Sequence, residues 1–412
     1  MGIKTGTNLR WAILLNGLLL IASPGSIWCQ GSQNEVKTPA QQQPAPAFRM
    51  PAPTPNDTLV SPEVTPDRHV IFRLYAPDAS SVKVQSEGPE ATPGATTKDV
   101  MAGYAGVPLA KGTDGVWTGQ IGPIQPGVYR YTFVVDGVST TDPRNPDSSE
   151  SLTSVKSMYE VPGADWMEYK KNIPHGAIAS IRYFSTATSG MRRMHVYTPP
   201  GYEKSNTTYP VLYLLHGGGD SDGAWPTVGR AGAILDNLIA SRKAVPMIIV
   251  MPAGHISRTF RLTNPNAMGH DQFNDDLVGT VVPYIESHYR TVADRDHRAI
   301  AGLSMGGLQA LTISLTHSDM FAYSGIFSSG WFPTALQNEE QTTIANYKQS
   351  GKPFKIFWMG VGKLDIANAN AHASEALIEK AGIKPVFHES EGFHAWNNWR
   401  DYLAIFAPQL FK

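Results

Sequence analysis

A chain of 412 residues is long enough for two domains and a sizeable core. Its formal net charge of −1, with 34 Lys and Arg against 35 Asp and Glu and no long run of either sign, argues against a nucleic-acid partner, which would need clustered basic residues to neutralise phosphates. The single cysteine, Cys29, excludes an internal disulfide, so stability must come from packing.

The first thirty residues place Lys4 and Arg10 ahead of an apolar stretch from Trp11 to Ala22, followed by small and polar residues. This pattern predicts a secretory signal over 1–30, with a secreted or periplasmic protein as the product; the stretch is too short for a good membrane span, so none is expected in the mature chain. An uncleaved anchor is one alternative. Lipid anchoring through Cys29 is another, disfavoured because Trp28 stands where a small residue is usual. Residues 31–64, as in "TPAQQQPAPAFRMPAPTPND", carry little apolar periodicity and read as a disordered Pro- and Gln-rich linker.

From 65 to 160, short alternating runs such as "HVIFRLYAP", "SVKVQS" and "GVYRYTFVVDG" are broken by Pro and Gly, with no convincing helix. They predict a small all-β sandwich. Trp117, Tyr129 and Tyr131 could offer stacking faces to a glycan, but alternate aromatics on strands are more often core. A connecting segment over 161–180 leads to a different pattern across 181–412. There "PVLYLL", "PMIIVMP", "RAIAG", "YSGIFSS", "FKIFWMG" and "KPVFHES" alternate with helix-like segments such as "AGAILDNLIAS" and "ANAHASEALIEKAG". Strands alternating with helices predict an α/β fold, a mostly parallel sheet covered on both faces with its active site at the carboxyl ends of the strands.

Three strand ends carry chemistry. "RAIAGLSMGG" sets Ser304 between glycines at a strand-to-helix junction, the context a nucleophile elbow requires. "YLLHGGGD" follows another strand with consecutive glycines, so the backbone N–H of Gly218 with that of Met305 would form an oxyanion hole; His216, before the glycines, is read as packing or holding the loop. Asp365 in "GVGKLD" and His394 in "GFHAW" lie just past the next strands, which completes the chain order Ser, Asp, His. In that arrangement His394 is the general base and Asp365 its orienting partner. Asp365 could instead merely cap a helix, and Glu389 and Glu391 also lie near the last strand.

Together "VYTPPGY", "YPVLYLLHGGGD", "HRAIAGLSMGG", "GVGKLD" and "SEGFHAWNNWRDYLAIFAPQLF" resemble carbohydrate esterase family 1, the esterase D-like feruloyl and acetylxylan esterases, over about residues 178–412. The β region resembles the early-set, immunoglobulin-like (CBM48-like) domains that precede such esterases. The resemblance implies an α/β-hydrolase that cleaves an acyl ester on a plant cell-wall polysaccharide through an acyl-enzyme, without metal or cofactor. It assigns Ser304 as nucleophile, Asp365 as acid, His394 as base, and Gly218 and Met305 as oxyanion donors. Trp225, Trp331, Phe332 and Trp396, close in sequence to these positions, are candidates for an apolar slot that takes a hydroxycinnamoyl ring. Trp399 reads as helix core. The expected substrate is thus an acylated plant polysaccharide, with a feruloyl ester first and an acetylxylan ester second. A siderophore esterase of the enterobactin type would want a basic mouth, for which Arg230, Arg258 and Arg261 are the candidates. A glycan-binding protein on a hydrolase scaffold is the non-enzymatic alternative, and the intact Ser, Asp and His argue against it.

Overall fold

The computed structural model describes residue 50 and residues 52–91, 94–257 and 270–412. The expected leader over 1–30 with Cys29, residues 31–49 and 51 of the expected linker, and Arg258 and Arg261 lie outside the described residues. Among those described, no helix is long and apolar enough to cross a membrane. Pro53–Lys412 groups into one compact unit.

The N-terminal part of this unit contains β1 (Glu63–Val64), β2 (Val70–Tyr75), β3 (Val82–Ser86), β4 (Val107–Pro108), β5 (Ala110–Lys111), β6 (Val116–Ile121), β7 (Gly127–Val135), β8 (Val138–Thr140), β9 (Ser148–Glu150) and β10 (Val155–Val161). They make two antiparallel sheets, ordered β1-β2-β6-β5 and β4-β3-β7-β10-β9, with β8 paired to β7. Val70, Phe72 and Leu74 alternate inward along β2 and share one core with Val82 and Val84 of β3 and Phe133 of β7. Trp117, Tyr129 and Tyr131 belong to that core, at 7%, 2% and 1% exposure, and offer no stacking face.

Two expectations for this region need correction. The linker does not extend to 64. The Asn56 side chain holds both backbone groups of Tyr75 at 2.9 Å, Ser61 is buried and donates to Asp142 at 2.7 Å, and β1 already pairs with β2. Nor is the region free of helix, because α1 spans Thr97–Ala105, started by reciprocal bonding between Thr96 and Asp99.

The second part holds β11 (Ala177–Ser185), β12 (Gly190–Thr198), β13 (Val211–Leu215), β14 (Ile248–Pro252), β15 (Arg298–Leu303), β16 (Tyr323–Phe327), β17 (Ile356–Gly362) and β18 (Val386–Ser390). The connection to it therefore spans 162–176, not 161–180, and the sheet starts at 177, not 181. Sheet order is β11-β12-β14-β13-β15-β16-β17-β18. The β11–β12 hairpin joins antiparallel, and every pair from β14 to β18 is parallel.

Helices α2 (Ala231–Ala240), α3 (Gln272–Asp276), α4 (Val282–His288), α5 (Met305–Thr316), α6 (Leu336–Glu339), α7 (Ala345–Ser350), α8 (Asn368–Lys380) and α9 (Trp396–Phe406) cover the sheet, with a π-helical turn joining α3 to α4. One core joins Ile285 of α4, Leu311 of α5 and Leu377 of α8 to the sheet; another joins Leu235 of α2 and Leu403 of α9. Covered on both faces, all five residues of β13 are buried, which is why such strands read as unbroken apolar runs. This is the expected α/β architecture, and it leaves the carboxyl ends of β13, β15, β16 and β17 to shape a site.

Candidate active site

Ser304 alone makes the turn between β15 and α5, with φ 52° and ψ −117°. That is the conformation of the first central residue of a type II′ turn, where glycine normally sits, and a side chain there costs about 1–3 kcal/mol. The turn is held on every side. Its N–H donates to Phe327 C=O at 2.9 Å, and its own C=O accepts from Leu308 N–H at 3.0 Å and from the Ser329 hydroxyl at 2.7 Å. The flanking glycines are sterically required. A Cβ on Gly302 would stand 2.3 Å from Gly306 O, and one on Gly306 would stand 2.5 Å from His216 O.

The Ser304 hydroxyl lies 2.8 Å from His394 Nε2, and His394 Nδ1 lies 2.7 Å from Asp365 Oδ1. An ionised carboxylate only accepts, so the imidazole proton sits on Nδ1 and Nε2 is left to accept from Ser304. Asp365 follows β17 and is buried. Its Oδ1 also accepts the Ala367 N–H at 2.7 Å, so it anchors the start of the following segment as well as meeting His394. Burial pushes its carboxyl upward, but the hydrogen bond and charge of His394, with help from Ser328 and the Ala367 N–H, outweigh burial and hold it below the usual aspartate value. Glu389 pairs instead with His372 and Asn368, and Glu391 with Lys363.

The glycine loop closes over this row. His216 is buried; its Nε2 accepts the Gly254 N–H at 2.8 Å, so its Nδ1 donates to Gly217 C=O at 2.9 Å. Burial lowers its pKa, and the ring is a neutral strut holding the loop rather than a base. Among the described residues, neither the Gly218 nor the Met305 backbone N–H donates to a protein acceptor. Both line a cavity of about 240 Å³ together with Ser304 and His394.

The rest of the lining includes the apolar Leu308, Phe332 and Ile366 and the polar Ser328, Ser329 and Asn370. Of the four aromatic candidates for substrate contact only Phe332 is there. Trp225, Trp331 and Trp396 are core residues, 1%, 2% and 4% exposed, and are not on the cavity wall. The Trp225 indole N–H donates inward to Leu215 C=O and that of Trp331 to the Thr312 hydroxyl, while Trp396 stacks edge-on against Trp225 and Trp399. Trp399 in turn lies 5.1 Å from His394, ring centre to ring centre. Sequence reasoning missed Leu308, one turn into α5 from Ser304, although helical spacing pointed to it. It also missed Ile366, in the turn after Asp365, and Asn370, in the first turn of α8, whose polar side chain no apolar spacing could mark.

The family model described as "Putative esterase" matches residues 185–409. The chain belongs to this esterase family. Among named relatives, an "Endo-1,4-beta-xylanase/feruloyl esterase" of Xylanibacter ruminicola is 34% identical over 360 residues, covering 85% of this chain and 46% of the relative. The "Endo-1,4-beta-xylanase Y" of Acetivibrio thermocellus is 27% identical, covering 65% of this chain and 26% of its own length. The esterase thus spans less than half the length of either. Among solved structures, the CE1 ferulic acid esterase of Anaeromyces mucronatus superposes with a TM-score of 0.54 at 25% identity, over 61% of this chain and 96% of that one. The enterobactin esterase of Shigella flexneri, at 16% identity and TM-score 0.57, shares the fold over 83% of this chain and 93% of its own.

Proposed function

We propose that this esterase releases hydroxycinnamic acids, ferulic acid foremost, from acylated xylan through an acyl-enzyme on Ser304. The observation that carries the reading is the unbroken row from Asp365 through His394 to the Ser304 hydroxyl, opening on a cavity lined also by Gly218 and Met305, whose backbone N–H groups have no protein acceptor among the described residues. His394 takes the Ser304 proton as Oγ attacks the ester carbonyl, and the Gly218 and Met305 N–H groups receive the oxyanion. The proton passes to the departing sugar hydroxyl. Water, deprotonated by His394 in its turn, then frees the acid and restores Ser304.

Cavity size favours an aromatic acyl group. At roughly 30 Å³ per water, a cavity of 240 Å³ would stay mostly water-filled around an acetyl group. Leu308, Phe332 and Ile366 offer instead an apolar wall for a ring, with Asn370 placed for its polar substituents. The enterobactin alternative gains little from Arg230, which is engaged by Glu160 and packs on Tyr169. The two-sheet part is proposed as an early-set-like module, and residues 1–30 as an export signal that brings the enzyme to a polymer outside the cell.

The test compares kcat/KM on methyl ferulate and on acetylated xylan. Ferulate is expected to be preferred at least tenfold, and Phe332→Ala should lower ferulate turnover by about 1.5–3 kcal/mol, roughly ten- to a hundredfold, while p-nitrophenyl acetate changes little. A preference for acetate would overturn the acyl assignment. Equal rates for the natural enzyme and Ser304→Ala would overturn the serine mechanism, since losing such a nucleophile costs about a millionfold.

A further inference from the structure

A glycine loop that donates a backbone N–H to an oxyanion has no side chains of its own to hold it in place, so its two ends must be fixed by their neighbours. At the first end the fixing is internal to the α/β part, through His216 and Gly254. At the other end it comes from the two-sheet part. Asp220, directly after the glycines, is 5% exposed and accepts from Arg130 Nη1 of β7 at 2.6 Å. Arg130 is locked from behind by Glu87, whose Oε1 accepts from both Nε and Nη2 at 2.8 Å. The backbone adds to this hold, since Leu152 N–H donates to Gly219 C=O at 3.1 Å and Ser151 bridges to Asp220.

The same part of the chain reaches the loop that carries His394. The Arg130 guanidinium lies 5.8 Å from the ring centre of Trp396, two residues past His394, and Val100 of α1 packs with Phe393 and Ala395 on either side of that histidine. Both loops of the site, the one that carries Gly218 and the one that carries His394, are thus clasped by residues from before position 162. A buried ion pair is a poor way to add stability, because desolvation offsets its attraction, but it fixes geometry well.

We infer that Arg130 is a positioning residue for ester hydrolysis, and that the two-sheet module completes the active site by holding the Gly218 N–H in register through Asp220. The inference rests on the oxyanion role proposed above for Gly218. It makes the module part of the catalytic framework, independent of any affinity for glycan. Removing one oxyanion donor costs about a hundred- to a thousandfold, and a misplacement of about 1 Å costs up to about a hundredfold, so loosening the loop without removing the donor should lower kcat by about ten- to a hundredfold.

The test uses the full chain in two forms. Arg130→Met with Asp220→Asn removes the ion pair on the loop and leaves Glu87 with Lys156 Nζ, at 3.4 Å, as its remaining cation; Arg130→Lys keeps one charge but cannot grip Glu87 and Asp220 as a fork. With methyl ferulate, and rates normalised to the folded fraction from gel filtration and thermal melting, the double variant should lose at least tenfold in kcat with KM held within about twofold. Arg130→Lys should fall between it and the natural enzyme. If both retain kcat within twofold, or if the loss falls on KM alone, the inference is overturned. Should the double variant not fold, Arg130→Lys decides by the same criterion. Ser304→Ala is measured alongside: if it keeps the natural rate, the hydrolytic reading has failed, whereas an inactive Ser304→Ala beside fully active Arg130 variants refutes only the positioning role.

Discussion

Replacing Asp365 by asparagine separates two jobs of one carboxylate, orienting the imidazole and stabilising its positive charge. In the serine-protease triad the substitution costs about four orders of magnitude, because the amide N–H₂ turns towards the histidine and forces the wrong tautomer. Here a single oxygen, Oδ1, accepts from both His394 Nδ1 and the Ala367 N–H, at 2.7 Å each. The other, Oδ2, makes no well-formed hydrogen bond; the buried Ser328 hydroxyl beside the carboxylate makes none either, though it helps to hold the carboxyl's pKa down. Asparagine can therefore leave its carbonyl oxygen on the two N–H donors and point its amide at Ser328, which keeps the proton on Nδ1. What is lost is charge. The gap between a charged and a neutral hydrogen bond is about 1–2 kcal/mol, and the Coulomb attraction of unit charges 4 Å apart at an effective dielectric of 20 is about 4 kcal/mol. A loss of about 3 kcal/mol, or two orders of magnitude in kcat, lies between these limits. Asp365→Ala removes orientation as well and should approach the full four orders. Steady-state kinetics on methyl ferulate distinguishes the two, and an Asp365→Asn rate within threefold of Asp365→Ala would refute the shared-oxygen arrangement.

Two further outcomes follow from the same geometry. At φ 52° Ser304 sits where glycine is preferred, so Ser304→Gly should be more stable than Ser304→Ala by up to about 1 kcal/mol, the reverse of the usual order of glycine and alanine; thermal melts showing the alanine form equal or higher would contradict the strain. His255, beside His216 and bonded to the Gly218 backbone, is pushed down to about 4, chiefly by burial and then by the neighbouring imidazole. A histidine whose folded pKa lies below its unfolded value of 6.5 contributes stability that is present above 6.5 and lost as pH falls from there towards 4. The whole shift is worth roughly 3 kcal/mol, cut to about 1–2 by partial solvent access. Denaturant midpoints should decline over that window, and His255→Gln should flatten the decline.

How much of this was legible in the sequence depended on whether the deciding interaction was local. The Gly302–Gly306 pattern around Ser304 was readable because the steric need for it lies within four residues. The strands from β13 to β17 were readable because burial on both faces makes them largely apolar runs. The β11–β12 hairpin was not, as β11 faces solvent along much of its length and mixes small, polar and apolar residues. Helix α1 was hidden too: only Val100 and Gly103 are buried, so it has no apolar stripe, although Thr96 and Asp99 carry its start signal. The tryptophans misled because position on a strand-end loop does not give direction; Trp225 and Trp331 turn inward to meet Leu215 and Thr312. Arg130 was passed over among the aromatics of β7, since its partner Asp220 lies 90 residues away.

The indoles that proved to be core rather than substrate contacts have an optical consequence. Trp225 and Trp396 pack at 5.1 Å and 86°, and Trp396 and Trp399 at 5.2 Å and 80°. Chromophores held this close and this nearly perpendicular couple their transitions, which gives an intense near-ultraviolet circular dichroism band that depends on their mutual angle. Of the nine tryptophans in the chain, these three span the distance from the Arg130 guanidinium to the His394 ring. The enzyme therefore carries a built-in chromophore triad whose signal reports whether the base loop is seated, with no label and no ligand. Following that band beside the far-ultraviolet signal through a denaturant titration would show whether the site loosens before the strands melt.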